Sequence, residues 1–165
     1  MIELRLLNET DIPLVESWLN KEHVKKWYEI PFQNISIDDW MNEVKARNGE
    51  YAWITYLIAT WEDRPIGLGQ YYYCPNSIGE NFGTVPITGT YGIDYLIGEE
   101  VFLGKGFGKK IVELLVNLIF SFTDAKRVTA DVDENNIISK KTVTSAGFTL
   151  WDIECTRYVI QKLEK

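Results

Sequence analysis

Apolar positions repeat with two different periods along the chain, and the changes of period divide it into strands and helices. The opening segment IELRLL alternates apolar and polar residues, which indicates a strand. The next segment, ETDIPLVESWLN, carries four apolar residues at helical spacing between Ile12 and Leu19, with Thr10 or Asp11 as the expected N-cap. The chain is therefore predicted to enter its fold as a strand followed by an amphipathic helix.

The middle of the chain predicts a second helix, a hairpin and a long loop. SIDDWMNEVKARNG has Ser36 and Asp39 at the spacing of a capping box, and Gly49 as its stop. YAWITYLIATW and PIGLGQYYYC follow as two strands around the short polar turn EDR, which is typical of a hairpin. Residues 75–90 are rich in Asn, Gly, Pro, Ser and Thr, and loops of this length are usually functional or mobile.

The last third of the chain alternates strands and helices again. TYGIDYLI predicts a strand, residues 107–122 have helical spacing, and AKRVTADV predicts a further strand. NNIISKKTVTSAGF predicts a short helix that ends at Gly147, and TRYVIQKL predicts the last strand. The whole order predicts one mixed-sheet α/β domain over residues 1–165, with helices on both faces of the sheet.

Three glycines, Gly104, Gly106 and Gly108, stand at the mouth of the long helix in the stretch LGKGFGKK. A glycine inside a helix costs about 1 kcal/mol relative to alanine, so their position needs a reason. One alternative is a flexible turn in which glycine supplies positive φ. The other is an anion-binding turn, in which a phosphate reaches the free N–H groups of the first helical turn. Lys105, Lys109 and Lys110 favour the second alternative, because they cluster three cations there in an acidic chain.

Composition limits the classes of function. A hydrophobic content of 45% indicates a globular protein, and the apolar runs are too short and too often charged to span a bilayer. The start MIELRLLNETD lacks the pattern of a signal peptide, so a cytoplasmic location is expected. Cys74 and Cys155 have no spacing of a disulfide framework or metal site and are expected to be free thiols, with no metal predicted. A net charge of −7 argues against nucleic acid and is compatible with a cationic substrate, although such a charge also keeps small proteins dispersed.

The order of elements resembles that of the GNAT acetyltransferases. The likeness rests on a strand, a glycine turn that opens a long helix, another strand and a short helix that ends in AGF, and it covers nearly the whole chain. It implies an α/β GNAT fold, with a mixed, mostly antiparallel central sheet flanked by helices on both faces. It also implies acetyl-CoA as the cofactor.

Within the family, the segments WLNKEHVKKWY, PIGLGQ, YGIDYLI and LGKGFGKKIVELLV look most similar to the aminoglycoside 6′-N-acetyltransferases. That resemblance implies acetyl transfer to a primary amine of a cationic small molecule, with an aminoglycoside 6′-amine favoured. Other acceptors in the same class are a polyamine, a siderophore precursor or a protein amino terminus. A non-catalytic acyl-CoA-binding module is the alternative of a different class. The protein is expected to be a monomer or a homodimer.

Asp94, in the strand before the glycine turn, is the candidate general base. Acetyl transfer needs a neutral amine, and a carboxylate both attracts an ammonium group and accepts its proton. The structural alternative for Asp94 is a turn cap or a surface pair with lysine. Asp131 resembles a substrate-amine contact of the aminoglycoside enzymes, with a solvated acidic loop as its alternative. Trp27 and Gln70 are further candidates for the acceptor pocket, although a tryptophan on an amphipathic segment usually belongs to the core.

The resemblance also implies the cofactor contacts. The pantetheine arm is expected to pair with the backbone near Leu96, Ile97 and Gly98, as an added strand where two strands splay apart. Asn136 matches the family's asparagine at the start of the short helix, where it contacts the cofactor arm, and an ordinary N-cap is the alternative. The pyrophosphate is expected to meet the N–H groups of the turn, namely those of Gly104, Lys105, Gly106, Phe107, Gly108 and Lys109.

Three residues depart from the family pattern. Leu103 stands where an arginine or glutamine usually begins the turn, which removes a side-chain contact and leaves the backbone site. Val143 stands where many members have the tyrosine that protonates the departing thiolate, so that proton is expected to come from solvent or another tyrosine. Glu80 is the one acidic residue of the long loop, which is more acidic in the aminoglycoside enzymes. His23 is expected to be a surface or helix-end residue.

Overall fold

The computed structural model describes residues 1–163 and contains one seven-stranded sheet packed against helices. The strands are β1 (Ile2–Leu6), β2 (Ile54–Trp61), β3 (Arg64–Tyr73), β4 (Thr90–Ile97), β5 (Arg127–Asp131), β6 (Thr149–Asp152) and β7 (Arg157–Gln161). The α-helices are α1 (Ile12–Leu19), α2 (Glu22–Tyr28), α3 (Ile37–Lys45), α4 (Phe107–Phe122) and α5 (Ile137–Ser145). Among these described residues, none of the helices is long and apolar enough to cross a membrane.

The sheet has the order β1-β2-β3-β4-β5-β7-β6. Neighbouring strands are antiparallel throughout, except for β4 and β5, which are parallel. The predicted hairpin is formed by β2 and β3, which Glu62 and Asp63 connect. A mixed, mostly antiparallel sheet is therefore confirmed.

Apolar side chains form one core on each face of the sheet. Leu96 of β4 belongs to the core that includes Trp18 of α1 and Met41 of α3. Ile93 of the same strand belongs to the opposite core, with Leu115 of α4. Positions of unlike parity on a strand point to opposite faces, which explains how one strand serves both cores. Helices on both faces of the sheet are thus confirmed.

The predicted starts of the first two helices have different outcomes. Ser36 and Asp39 do form a capping box before α3, with the Asp39 carboxylate accepting from Ser36 N at 2.7 Å. Asp11, one of the two predicted residues, is the N-cap of α1, but its side chain makes no capping hydrogen bond to the helix. Asn8 caps a short 3₁₀ turn ahead of α1 by accepting from Thr10 N, and the Asp11 carboxylate binds the Arg5 guanidinium at 2.7 Å.

Helix α2 is the element that the sequence pattern misses. Val24 is its only buried residue, so its apolar periodicity is too weak to predict a helix. Contacts to other elements hold its C-terminal end. Tyr28 O accepts from Trp40 Nε1 at 2.7 Å, and Tyr28 Oη donates to Tyr95 O of β4 at 3.0 Å.

Strands β4 and β5 separate soon after they pair. Their pairing joins Thr90–Gly92 to Arg127–Thr129, after which β4 continues to Ile97 with β3 as its strand partner. The second half of β4 therefore borders an open gap on its β5 side, which is the splayed geometry that the sequence resemblance predicts. This gap brings the candidate site residues together.

Candidate active site

A cavity of about 890 Å³ lies where β4 and β5 diverge, and its wall is strongly acidic. Residues of both strands just beyond their last paired positions line it, together with residues from α2, α3, β3, the long loop and α5. Among its described lining residues Lys26 is the one lysine or arginine, against eight carboxylates. The carboxylates are Glu29, Glu43, Glu80, Asp94, Asp131, Asp133, Glu134 and Glu154. Such a concentration of one sign of charge in a cleft attracts a ligand with several positive charges.

Aromatic rings form much of the remaining wall. The Tyr28 and Trp40 rings pack edge to face with centroids 5.1 Å apart, and Trp53 packs edge to face on Tyr72. The faces of such rings attract cations and cover apolar ring systems. The aromatic lining residues are Trp27, Tyr28, Phe32, Trp40, Trp53, Tyr72 and Tyr95. The predicted pocket residue Trp27 therefore lies at the cavity rather than in the core.

Asp94 and Gln70 meet inside this cavity. Their residues face each other in the β3–β4 register, and Gln70 Nε2 donates to Asp94 Oδ2 at 3.1 Å. The partner of Asp94 is thus a buried amide, which replaces both the turn cap and the surface lysine as its structural explanation. Burial, together with the nearby charges of Glu80 and Asp131, raises the pKa of Asp94 to about 7. A carboxylate that titrates near neutral pH is suited to accept a proton from a substrate.

Asp131 reaches the same cavity from the end of β5. Its Oδ1 accepts from Thr156 Oγ1 at 2.9 Å, and its Oδ2 lies 3.9 Å from an Arg157 nitrogen. Its side chain is 54% exposed, which leaves the carboxylate accessible to a ligand. The position across the cavity from Asp94 agrees with the predicted contact to a substrate amine, which stays a prediction.

The long loop before β4 is fastened over the cavity by Arg157 of β7. This guanidinium donates to Glu80 Oε1 at 2.7 Å and to Asn81 O at 2.8 Å, and it stacks on the Phe82 ring. Tyr72 Oη also donates to Glu80, at 2.8 Å. The single acidic residue of the loop therefore faces the cavity in a fixed position, with its charge paired to the Arg157 guanidinium.

The glycine turn lies at the N-terminus of α4, which begins at Phe107 as predicted. Gly104 and Gly106 have φ of 70° and 83°, and Gly106 is the N-cap of the helix. A Cβ added to either glycine would meet nothing within 4 Å. The positive φ explains both glycines as turn residues, while the open space beside them suits a phosphate at the helix N-terminus. The two alternatives from the sequence are thus compatible with one another.

The other residues of this turn that are predicted to bind the pyrophosphate would contact it mainly through backbone N–H groups. The Phe107 side chain packs against Trp61 and Phe102. Lys105 is exposed, and Lys109 Nζ lies 3.5 Å from a carboxylate oxygen of Glu113. Gly108 is the second residue of α4, where N–H groups have no partner within the helix.

The three predicted pantetheine positions on β4 do not all face the gap. Gly98 N donates to Ile66 O, so its amide is directed at the β3 side, and Leu96 has the same parity on the strand. Ile97 has the opposite parity, and its carbonyl oxygen lies 2.9 Å from His23 Nε2. Ile97 therefore borders the gap, whereas Leu96 and Gly98 do not present their backbone to it. His23 stands near the start of α2, as a helix-end residue.

Asn136 has the geometry of an ordinary cap as well as a place at the cavity. Its Oδ1 accepts from Ser139 N at 3.0 Å at the start of α5, and the residue also lines the cavity. The predicted cofactor contact is compatible with this cap and stays a prediction. Further along α5, Val143 is completely buried in the core beneath α4.

Several residues at the cavity escape the sequence analysis. Trp40 and Glu43 lie three positions apart on α3 and so share a helix face, which is a readable signal. Nothing in the sequence indicates that this helix face lies near the end of β4. Trp53 and Tyr95 were equally hidden, because an aromatic residue next to a strand is usually part of the core.

Comparison with known proteins identifies the family. The model of the GNAT acetyltransferase domain matches residues 8–153. This chain belongs to the GNAT acetyltransferase family. It is 28% identical over 147 residues to aminoglycoside N(6′)-acetyltransferase type 1 of Klebsiella pneumoniae and equally to that of Serratia marcescens, over 89% of this chain and 73% of the relative.

Solved structures agree with this assignment over nearly the whole GNAT chain. The crystal structure of aminoglycoside acetyltransferase AAC(6′)-Ib with coenzyme A superposes with a TM-score of 0.83 at 25% identity, covering 98% of this chain and 95% of the other. The same enzyme with coenzyme A and kanamycin gives a TM-score of 0.81 at 25% identity, with the same coverage. The cavity of this GNAT protein therefore belongs to a fold that holds both ligands in its structural neighbours.

Proposed function

We propose that this protein transfers the acetyl group of acetyl-CoA to a primary amine of an aminoglycoside, with the 6′-amine as acceptor. The observation that carries the proposal is the acidic cavity, where eight carboxylates surround the open end of the β4–β5 gap. An aminoglycoside carries several ammonium groups on a polar ring system, which matches this charge and the aromatic wall. The names of the similar enzymes and the kanamycin complex of one of them support the same acceptor.

The residues at the glycine turn and the gap fit acetyl-CoA. The open space beside Gly104 and Gly106 leaves the N–H groups of the first turn of α4 accessible to a pyrophosphate. Asn136 lines the cavity, and Ile97 lies in the part of β4 beyond its last pair with β5. Acetyl-CoA supplies the activated acetyl group when it is bound. Free cysteines Cys74 and Cys155 agree with a cytoplasmic location, which is part of this proposal.

Asp94 has the central role in the proposed chemistry. An ammonium group is mostly protonated at neutral pH, so the enzyme must remove a proton before the amine can attack. Asp94 first pairs with the ammonium group and then takes its proton, directly or through a water molecule. Gln70 holds the carboxylate in place through its hydrogen bond, while the other carboxylates hold the remaining positive charges of the acceptor.

Asp131→Asn is expected to raise KM for the aminoglycoside about tenfold and to change kcat little. A charge-assisted hydrogen bond contributes about 1.5 to 3 kcal/mol, and its exposed position reduces that contribution. Asp124→Asn is the matched control, because Asp124 is a carboxylate outside the cavity lining. Steady-state kinetics at low ionic strength measures both variants. An unchanged KM in Asp131→Asn would remove this residue from the acceptor site.

The acceptor is tested with a panel of amines under one release assay for free coenzyme A. The panel contains kanamycin, spermidine and a peptide with a free amino terminus. We expect kanamycin to give the highest kcat/KM by at least about a hundredfold. A higher kcat/KM for spermidine or the peptide would show that the preferred acceptor is not an aminoglycoside. Binding of acetyl-CoA without release for any amine would favour the non-catalytic module.

A further inference from the structure

We propose that Tyr95 donates the proton that the departing thiolate of coenzyme A requires. The inference rests on the proposed acetyl transfer and adds a catalytic residue to it. The α5 position that carries a tyrosine in many relatives holds Val143 here, and that side chain is fully buried. Tyr95 places a hydroxyl group on the same side of the sheet from a different element, strand β4.

The Tyr95 side chain lies between the two helices that border the gap. Its ring carbon Cε2 is 3.7 Å from the position that a Cβ on Gly108 would take, at the second residue of α4. Its hydroxyl lies 2.8 Å from Ser139 Oγ on α5. Both Tyr95 and Ser139 also line the cavity that contains Asp94. The Tyr95 side chain thus lies beside the first turn of α4 and the start of α5, at the cavity that also contains the candidate base.

The strand geometry puts Tyr95 on the path of the cofactor arm. Pairing between β4 and β5 ends at Gly92, so Tyr95 belongs to the part of β4 that borders the open gap. Asp94 and Tyr95 are consecutive residues and point to opposite faces of the sheet. An acyl donor that enters from the α4 side passes Tyr95, whereas an acceptor amine in the acidic cavity meets Asp94. Asp94 therefore acts on the attacking amine, and Tyr95 acts on the departing thiolate.

The step balances without a further reactant. After Asp94 has passed the ammonium proton to solvent, the neutral amine nitrogen forms a bond to the thioester carbonyl carbon, and Asp94 takes the second proton that this nitrogen then loses. The carbon–sulfur bond then breaks with its electron pair on sulfur, and Tyr95 gives its hydroxyl proton to that sulfur. The tyrosinate is reprotonated from solvent through Ser139, whose hydroxyl gives its proton to Tyr95 and takes one from water, and Asp94 releases its proton to solvent. The net products are the amide and free coenzyme A.

The protonation state of Tyr95 suits this role, and the acidity of the thiol sets the size of the expected effect. Burial raises the pKa of its hydroxyl above the ordinary value, so the group stays protonated and acts as a donor at neutral pH. A thiol with a pKa near about 8.5 leaves tolerably well without an acid. General acid catalysis contributes about a hundredfold to ten-thousandfold for a poor leaving group. For this thiol we expect a smaller contribution, about tenfold to a hundredfold.

The first test compares Tyr95→Phe with Tyr91→Phe. Tyr91 lies on the same strand and faces the same side, but its ring packs on Tyr71 and Tyr73 outside the cavity lining. With acetyl-CoA and kanamycin, Tyr95→Phe is expected to lower kcat about tenfold to a hundredfold at unchanged acetyl-CoA affinity. Tyr91→Phe is expected to stay within about twofold of the wild type. Equal kcat in the two variants would overturn the role of Tyr95.

The second test needs no turnover. The thiol of bound coenzyme A is titrated through its ultraviolet thiolate absorbance in complexes with the wild type, Tyr95→Phe and Tyr91→Phe. A hydrogen bond from Tyr95 to sulfur stabilises the thiolate, so the bound thiol should have a lower pKa in the wild type and in Tyr91→Phe than in Tyr95→Phe. An identical pKa in all three complexes would overturn the contact.

A variant on α5 tests the proposed role of Tyr95 independently if Tyr95→Phe folds poorly. Ser139→Ala removes the hydroxyl that pairs with Tyr95, and we expect a severalfold loss of kcat from the missing proton return. Unchanged kcat in Ser139→Ala would contradict the proposed return path. If the wild type fails to acetylate any aminoglycoside, the proposed acceptor is wrong, while the titration of bound coenzyme A still decides whether Tyr95 contacts the sulfur.

Discussion

Asp94→Asn is expected to lower kcat about a hundredfold to ten-thousandfold at neutral pH, with little change in acetyl-CoA affinity. A positioned general base contributes an effect of this size, and asparagine keeps the shape of the side chain while it removes the base. Partial recovery is expected at high pH, where more of the acceptor is the free amine. Near-normal turnover in the folded variant across this pH range would exclude Asp94 as the base.

The dependence of wild-type kcat/KM on pH should report the titration of Asp94. Because the pKa of Asp94 is raised to about 7, the carboxyl is protonated below that pH and cannot accept a proton. We therefore expect kcat/KM to rise as pH increases through about 7. The Asp94→Asn variant should lack this limb of the profile.

Stability should change in the opposite direction to activity. A folded-state pKa above the unfolded value means that the folded protein favours the protonated carboxyl. The stability that this proton contributes is fully present at low pH and is lost as pH rises through about 7. Asparagine is neutral at every pH, so Asp94→Asn should unfold at a higher temperature than the wild type above pH of about 7. A purely structural aspartate would give a lower unfolding temperature instead.

Gly106→Val is expected to weaken acetyl-CoA binding about tenfold to a hundredfold, as measured by calorimetry. A side chain on Gly106 would enter the open space beside the helix N-terminus and keep the pyrophosphate from the backbone. Losing one hydrogen bond to a charged group corresponds to about 1.5 to 3 kcal/mol. Because φ is 83° at this position, valine also adds backbone strain, so a fall in unfolding temperature is expected as well.

Gly79→Val is the control that separates strain from lost binding. Gly79 has φ of 87°, and a Cβ there also meets nothing within 4 Å, but it lies in the long loop outside the cavity lining. Its substitution should cost similar stability and leave acetyl-CoA affinity unchanged. Equal affinities in Gly106→Val and Gly79→Val would reject the anion-binding turn.

Elements with a strong period could be predicted from the sequence, and weakly amphipathic ones could not. The predicted strand Thr90–Ile97 and helix Phe107–Phe122 have the observed bounds, because the helix has a regular apolar period and the glycine turn separates the two elements. Helix α2 buries only Val24 and depends on hydrogen bonds such as that between Tyr28 and Tyr95. Those partners are far apart in the chain, so no local pattern reports them.

In the candidate site, too, individual residues could be predicted from the sequence, whereas the contacts between them could not. Gln70 and Asp94 were recognisable as separate polar positions within strands, but their hydrogen bond depends on the β3–β4 register. Register also decides that Ile97 borders the gap while Leu96 does not. The acidity of the cavity was hidden for a related reason, because Glu43, Glu80 and the other carboxylates come from separate elements that only the fold brings together.

The most direct test of the account uses two aminoglycosides that differ only at the 6′ carbon, one with an amine and one with a hydroxyl group. Release of coenzyme A is measured for both, and the acetylated position of the product is determined by nuclear magnetic resonance. We expect rapid release and a 6′-acetamide for the amine, and release at least about a hundredfold slower for the hydroxyl compound. Equal release for both, or an acetyl group at another amine, would contradict it.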